Sequence, residues 1–162
     1  MNEQSSNSDN ASGNRGAESR LSAETLHAST VAMEGRAVLI SGPSGAGKSD
    51  LALRLLDRGF TLVSDDQTLV RRDGARLIAS APPAIAGKLE IRGIGIVDMD
   101  HDEDVPVALL VELTSDIQRL PDDARERSVL GIALPLVSID AMTASAASKV
   151  ALALDRLGLK SR

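Results

Sequence analysis

Eight consecutive residues, Gly42-Pro43-Ser44-Gly45-Ala46-Gly47-Lys48-Ser49, fit the pattern G-x-x-x-x-G-K-[ST] at every fixed position. That pattern is a phosphate cradle. Its glycines let the backbone reach positive φ and turn N–H groups inward around phosphate oxygens. Lys48 brings a cation for the β- and γ-phosphates, and the Ser49 hydroxyl can enter a Mg²⁺ shell. ATP and Mg²⁺ are therefore the expected ligands. The flanks supply the strand–loop–helix setting that such a loop needs. Arg36 to Ser41 encloses a continuous apolar run that predicts a buried strand, and Lys48 to Arg58 sets Leu51, Leu55 and Leu56 among charged residues, as on an amphipathic helix. The helix N-terminus then points at the bound anion. A glycine-rich turn matching by chance would carry neither flank.

A cradle holds a nucleotide without deciding its fate. Asp65-Asp66 follow the apolar run Phe60 to Ser64, with Asp65 16 residues beyond Ser49. Two adjacent carboxylates at a strand end can divide two tasks, one on Mg²⁺ and one accepting a proton. Neighbouring strand residues point to opposite faces, which suits such a division. Without the loop, an ordinary acidic turn would explain the pair equally well. Further on, Gly87 to Val97 contains Glu90-Ile91-Arg92. If Leu89 to Arg92 is extended, Glu90 and Arg92 share one face, where they could hold metal and transferring phosphate. Taken alone, a half-buried strand with a surface ion pair is the simpler reading. Glu112 follows Val107 to Val111 like the acid closing a Walker B strand, but it ranks below Asp65-Asp66 because no second motif supports it. A lone His27 is more often structural than catalytic, and His101, in His101-Asp102-Glu103-Asp104, suits a solvated turn.

The elements that must position these groups read as a single compact α/β domain with an antiparallel component, starting near Leu21 to His27. Thr30 to Met33 predicts a strand, turned by Glu34-Gly35 into Arg36 to Ser41. Thr68 to Arg72 and Ala75 to Ala79 flank Asp73-Gly74, a hairpin signal in which both turn residues take positive φ. Ala81-Pro82-Pro83 breaks regular structure, Val105 to Val111 and Ile132 to Ile139 predict further strands, and Thr143 to Leu157 predicts a closing helix stopped by Gly158. Residues 1–20 are rich in Ser, Asn, Gly and Gln with almost no large apolar side chain, the composition of a disordered tail, leaving 21–162 as the domain.

Composition removes several function classes. With no Cys there are no disulfides and no thiolate or Cys-based zinc chemistry, which fits a reducing, cytoplasmic setting. No apolar run is long enough to span a membrane, and residues 1–20 lack the apolar core of a secretory signal. Net charge is −5 and Phe60 is the single aromatic residue, so neither a basic track nor a base-stacking platform for nucleic acid is available.

Taken together, these motifs resemble the catalytic domain of the bacterial HPr kinase/phosphorylase family, in particular short forms without its usual N-terminal domain. The resemblance covers about residues 25 to 140. It rests on His27 lying 15 residues before Gly42, the loop Gly42 to Ser49, Asp65-Asp66, and Glu90-Ile91-Arg92-Gly93-Ile94-Gly95-Ile96. The loop is common to many families, whereas the Glu-Ile-Arg-Gly-x-Gly-Ile segment at this distance is far more specific.

The resemblance implies a P-loop domain with a compact mixed sheet that uses ATP to phosphorylate a seryl residue of HPr, a small phosphocarrier protein. Asp66 then matches the proton acceptor (the donor in the reverse reaction), Lys48 the loop lysine, and Ser49 and Glu90 the Mg²⁺ ligands, with Asp65 beside them on the metal side. His27 matches an active-site histidine, Arg92 belongs to the Glu90 segment, and Arg119 is the best match to a further active-site arginine. The longer members carry Pro-Val-x-x-Gly-Arg-Asn for dephosphorylation, where this chain has Val137-Ser138-Ile139-Asp140-Ala141-Met142-Thr143. A kinase with weak or absent phosphorylase activity is expected, and a homo-oligomer is compatible with the family.

Two other readings compete. Nucleoside monophosphate kinases share the loop, but they need an Arg- and Tyr-rich lid and base site, and this chain has no Tyr. A regulatory module that binds ATP without transferring phosphate would leave Asp66 dispensable. An ABC-type ATPase is disfavoured by the lack of a Leu-Ser-Gly-Gly segment.

Overall fold

The computed structural model describes residues 22–117 and 125–160. Eleven strands, two α-helices and one short 3-10 helix (Pro83–Ile85) follow one another along these segments. Their order is β1 (Ala23–Leu26), β2 (Ala28–Met33), β3 (Arg36–Ser41), α1 (Lys48–Leu56), β4 (Thr61–Ser64), β5 (Thr68–Asp73), β6 (Arg76–Ser80), the 3-10 helix, β7 (Lys88–Ile91), β8 (Gly95–Asp98), β9 (Val105–Leu113), β10 (Glu126–Val129), β11 (Ile132–Ile139) and α2 (Ala146–Leu157). The expected tail, residues 1–20, lies outside the described residues.

Nine strands form one mixed sheet that branches at β9. One path runs β1-β5-β6-β9-β3-β2-β4, and β11 adds to β9 with β10 on its outer side. The pairings β3–β9 and β9–β11 are parallel, and all the others in this sheet are antiparallel. β9 accommodates three partners because it is long. Val105 and Pro106 pair with β6, whereas Leu110 to Leu113 pair with β11 on the same side. The mixed α/β sheet with an antiparallel component is thus as the sequence predicts.

Both faces of the central strands are buried, which explains why β3 and β9 read as continuous apolar runs rather than alternating ones. On one face, Val38, Ile40, Leu109 and Val111 pack against Leu51 and Leu55 of α1 and Val150 and Leu154 of α2. On the other, Leu39 and Leu110 meet Val70, Leu77, Leu134 and Leu136, so the sheet curls over and covers itself. Burying a Leu or Val side chain contributes about 1.5–3 kcal/mol each, enough for these two layers to fix the strands that carry the site.

Several boundaries differ from the sequence reading. β2 begins at Ala28 rather than Thr30, and α1 ends at Leu56 rather than Arg58. β10 has no counterpart in the reading, because Glu126-Arg127-Ser128-Val129 places only Val129 in the core. The hairpin turn is shifted by one residue. Asp73 pairs with Arg76, leaving Gly74-Ala75 as the two-residue loop, with positive φ at Gly74 and not at Asp73. One left-handed residue at the first turn position is the type II′ pattern. β9 runs on to Leu113, so Glu112 is an interior strand residue. His101 to Asp104 does connect β8 to β9 with Asp102, Glu103 and Asp104 exposed, but His101 itself is half-buried: it bridges to Leu62 of β4, and its Nδ1 lies 2.8 Å from where a Cβ on Gly87 would stand.

Candidate active site

The phosphate loop leaves β3 at Ser41 and enters α1 at Lys48, as the apolar run and the helical spacing require. Gly47 caps the helix with φ 99°, and a Cβ there would stand 3.2 Å from the Cβ of Ala141. Glycine is needed twice over, for the left-handed backbone and for the close approach of the segment that follows β11. Arg54 fastens that segment by donating to the backbone oxygens of Thr143, at 3.2 Å, and Ala141. Lys48 is buried, and its Nζ donates to the carbonyls of Gly42 (2.9 Å) and Pro43 (3.2 Å), which holds the ammonium inside the loop.

The two carboxylates stand in very different surroundings. Asp65 is 7% exposed and accepts three hydrogen bonds. Its Oδ1 takes the hydroxyls of Ser49 (2.7 Å) and Ser29 (2.9 Å), and its Oδ2 takes the Glu90 amide (3.2 Å). Asp66 lies outside β4 with φ 65° and a side chain 59% exposed. His27 Nε2 stands 3.4 Å from its Oδ1, and its amide donates to Ser29 Oγ at 3.0 Å. The pair does divide inward and outward, but not through strand alternation as the sequence reading supposed. The division comes from β4 stopping at Ser64 and from the left-handed turn at Asp66, a conformation that Asp tolerates better than most residues.

The remaining candidates separate. The antiparallel hairpin β7–β8 brings the Glu90 backbone to Asp65, while the Glu90 side chain faces solvent. Arg92 falls in the turn after β7, not on the strand, so it does not share a strand face with Glu90. It makes no hydrogen bond or ion pair with another described residue. Arg119 lies outside the described residues. Glu112 is engaged by Arg127 at 2.5 Å and Arg125 at 3.8 Å, which occupies its carboxylate. Ser29 is the residue that sequence reasoning missed. No signal in the sequence marked it, because only the placing of β2 beside β4 brings its hydroxyl to Asp65.

The donor set fits the expected ligands. Ser49 and the buried Asp65 carboxylate present hard oxygens side by side at the loop. Among the described residues no three His, Asp or Glu side chains cluster as a metal cage. A Mg²⁺ held by one or two protein oxygens and by substrate phosphates needs none. Among the described residues no helix is long and apolar enough to cross a membrane.

The family model described as HPr Serine kinase C-terminal domain matches residues 19–156. The chain belongs to that family. It is 40% identical over 130 residues to an HPr kinase/phosphorylase of Chlorobium chlorochromatii, a match covering 72% of this chain and 39% of that protein. An HPr kinase/phosphorylase of Limosilactobacillus reuteri is 38% identical over 136 residues, with 74% of this chain and 42% of the relative covered. The chain therefore spans about two-fifths of the length of these relatives. The HPr(Ser) kinase/phosphatase structure from Coxiella burnetii superposes with a TM-score of 0.72 at 28% identity, covering 82% of this chain and 94% of that one. The family's domain fold is thus the fold described above.

Proposed function

We propose that the chain is an ATP- and Mg²⁺-dependent protein-serine kinase whose acceptor is an HPr-like phosphocarrier protein. One observation carries the reading: a continuous chain of contacts runs from Ser49 of the phosphate loop through Asp65 and Ser29 to Asp66 and His27. It links the proposed metal ligand and the proposed base in a single network.

Mg²⁺·ATP, when bound, supplies the phosphoryl group. Ser49 and Asp65 are the residues that would hold the metal, with Glu90 delivered to the same corner by its hairpin. Lys48 and the loop amides neutralise phosphate charge, and phosphoryl transfer asks little more of a protein than such positioning. Asp66, exposed beside His27, would take the proton of the acceptor hydroxyl as that oxygen bonds to the γ-phosphorus and ADP leaves.

The reverse reaction is expected to be weak. It needs cations around an additional phosphate, and the segment beside the loop presents Asp140, whose Oδ1 accepts the Met142 amide at 2.9 Å. A cytoplasmic location follows from the same reading, since that is where a phosphocarrier would be met. The test is incubation with γ-labelled ATP, Mg²⁺ and the host's HPr-like proteins, with mapping of the labelled residue. Label on one seryl side chain is expected, and label released only as inorganic phosphate would overturn the proposal.

A further inference from the structure

We infer that Ser29 is the positioning residue that holds the catalytic base at a fixed place relative to the metal-side carboxylate. The inference rests on the kinase reading above and deepens it. Ser29 is fully buried on β2, opposite Ile40 of β3. One hydroxyl serves both acids: it donates to Asp65 Oδ1 at 2.9 Å and accepts the Asp66 amide at 3.0 Å. Of the nearby groups, Ser49 and the Glu90 amide contact Asp65 alone, and His27 contacts Asp66 alone. Among the described residues, Ser29 alone has a side chain that touches both.

This position has a physical purpose. Asp66 is left-handed and lies outside the strand ladder, so neither strand pairing nor burial fixes its backbone. A non-glycine residue keeps such a conformation only where surrounding contacts over-determine it. The Gln67 amide closes the turn on the Asp65 carbonyl at 2.7 Å, the Ser64 hydroxyl binds the Gln67 carbonyl, and the Ser29 hydroxyl adds the contact at the Asp66 amide; because its other bond goes to Asp65, the acids are tied to one another through a single oxygen. Displacing the base by a fraction of an ångström leaves the nucleotide cradle intact while spoiling the approach of the acceptor.

The experiment compares Ser29→Ala and Ser29→Thr with wild type, using the full chain, Mg²⁺·ATP and a purified HPr-like protein. Ser29→Ala should lower kcat by roughly 10- to 100-fold, the scale of a misplaced catalytic group, with the KM for ATP changed less than about twofold. Ser29→Thr, which keeps the hydroxyl, should recover most of the rate. In Ser29→Ala/Asp66→Asn the losses should not multiply, because Ser29 acts through Asp66. Hydrogen exchange at the Asp66 amide should quicken at least about tenfold in Ser29→Ala, while exchange in β3 stays unchanged.

A wild-type kcat in Ser29→Ala, multiplying losses in the double variant, or an unchanged Asp66 amide would each overturn the inference. Failure of the kinase reading looks different. The wild type would then label no acceptor, yet the Asp66 amide would still report whether Ser29 holds it.

Discussion

The phosphate loop and the carboxylate corner sit side by side and are built on opposite principles. In the loop, contacts close within a few residues: Lys48 reaches back to Gly42 and Pro43, and the Ala46 amide donates to the Pro43 carbonyl at 3.0 Å. In the corner, Ser29 meets Asp65 across 36 residues, and the Glu90 amide meets it across 25. Local construction makes a binding motif that works wherever a strand and helix flank it. Long-range construction makes catalysis conditional on the whole sheet, since the register of β2 against β4 sets where the two acids stand. The two regions should therefore fail in different ways.

The largest effect is expected in the loop. Lys48→Ala removes the cation proposed for the phosphates, and Gly47→Val forces a β-branched side chain toward Ala141 at a left-handed position. Either change should abolish ATP-dependent phosphorylation with the far-UV circular dichroism unchanged. Full transfer by Lys48→Ala at saturating ATP would remove the loop from the account. Next comes Asp65→Asn, which breaks the point where loop and corner join. Amide nitrogen cannot accept the hydrogen bonds that a carboxylate oxygen takes, so both Mg²⁺-dependent nucleotide binding and transfer should fall, each by about tenfold or more. A loss of transfer with binding intact would reverse the roles assigned to the two acids.

How much of this was legible follows the same division. The loop, its strand and its helix could be read outright, because motif and periodicity are properties of short windows. Asp65, Asp66, Glu90 and His27 were singled out by type and by family resemblance. Their convergence could not be derived, since it depends on β2 lying between β3 and β4 and on the left-handed turn at Asp66. Ser29 was invisible for that reason: a serine in an apolar run carries no signal until its strand is placed beside Asp65. The strand β10 was missed because a four-residue edge strand with one buried side chain shows no alternation to detect.

Two smaller effects sharpen the contrast. Glu90→Gln should raise the Mg²⁺ concentration needed for half-maximal transfer by a few-fold and leave the amide contact to Asp65, which is a backbone bond, in place. A Mg²⁺ titration that superposes on wild type would take the Glu90 side chain off the metal. The smallest effect is expected at Asp104, just before β9. The Ser80 and Arg71 side chains bind its carboxylate, Arg71 most strongly, and hold it below the usual carboxylate range. A group depressed in the folded state stabilises above its unfolded pKa, near 4, and that contribution is lost as the pH falls through the folded value. Asp104→Asn should therefore narrow the gap between melting temperatures at pH 7 and pH 3 slightly, without touching transfer. A change in transfer would show that this ion pair is coupled to the carboxylate corner.

The central claim is that binding and transfer are separable because Asp66 belongs to the corner and not to the loop. The most direct measurement is of Asp66→Asn, with Mg²⁺·ATP affinity by calorimetry and the single-turnover rate of transfer to an HPr-like protein on the same preparation. The account predicts an affinity within about twofold of wild type and a rate lowered roughly 10²- to 10⁴-fold, the range for losing a general base. A rate equal to wild type, or a loss of affinity as large as the loss of rate, would contradict it.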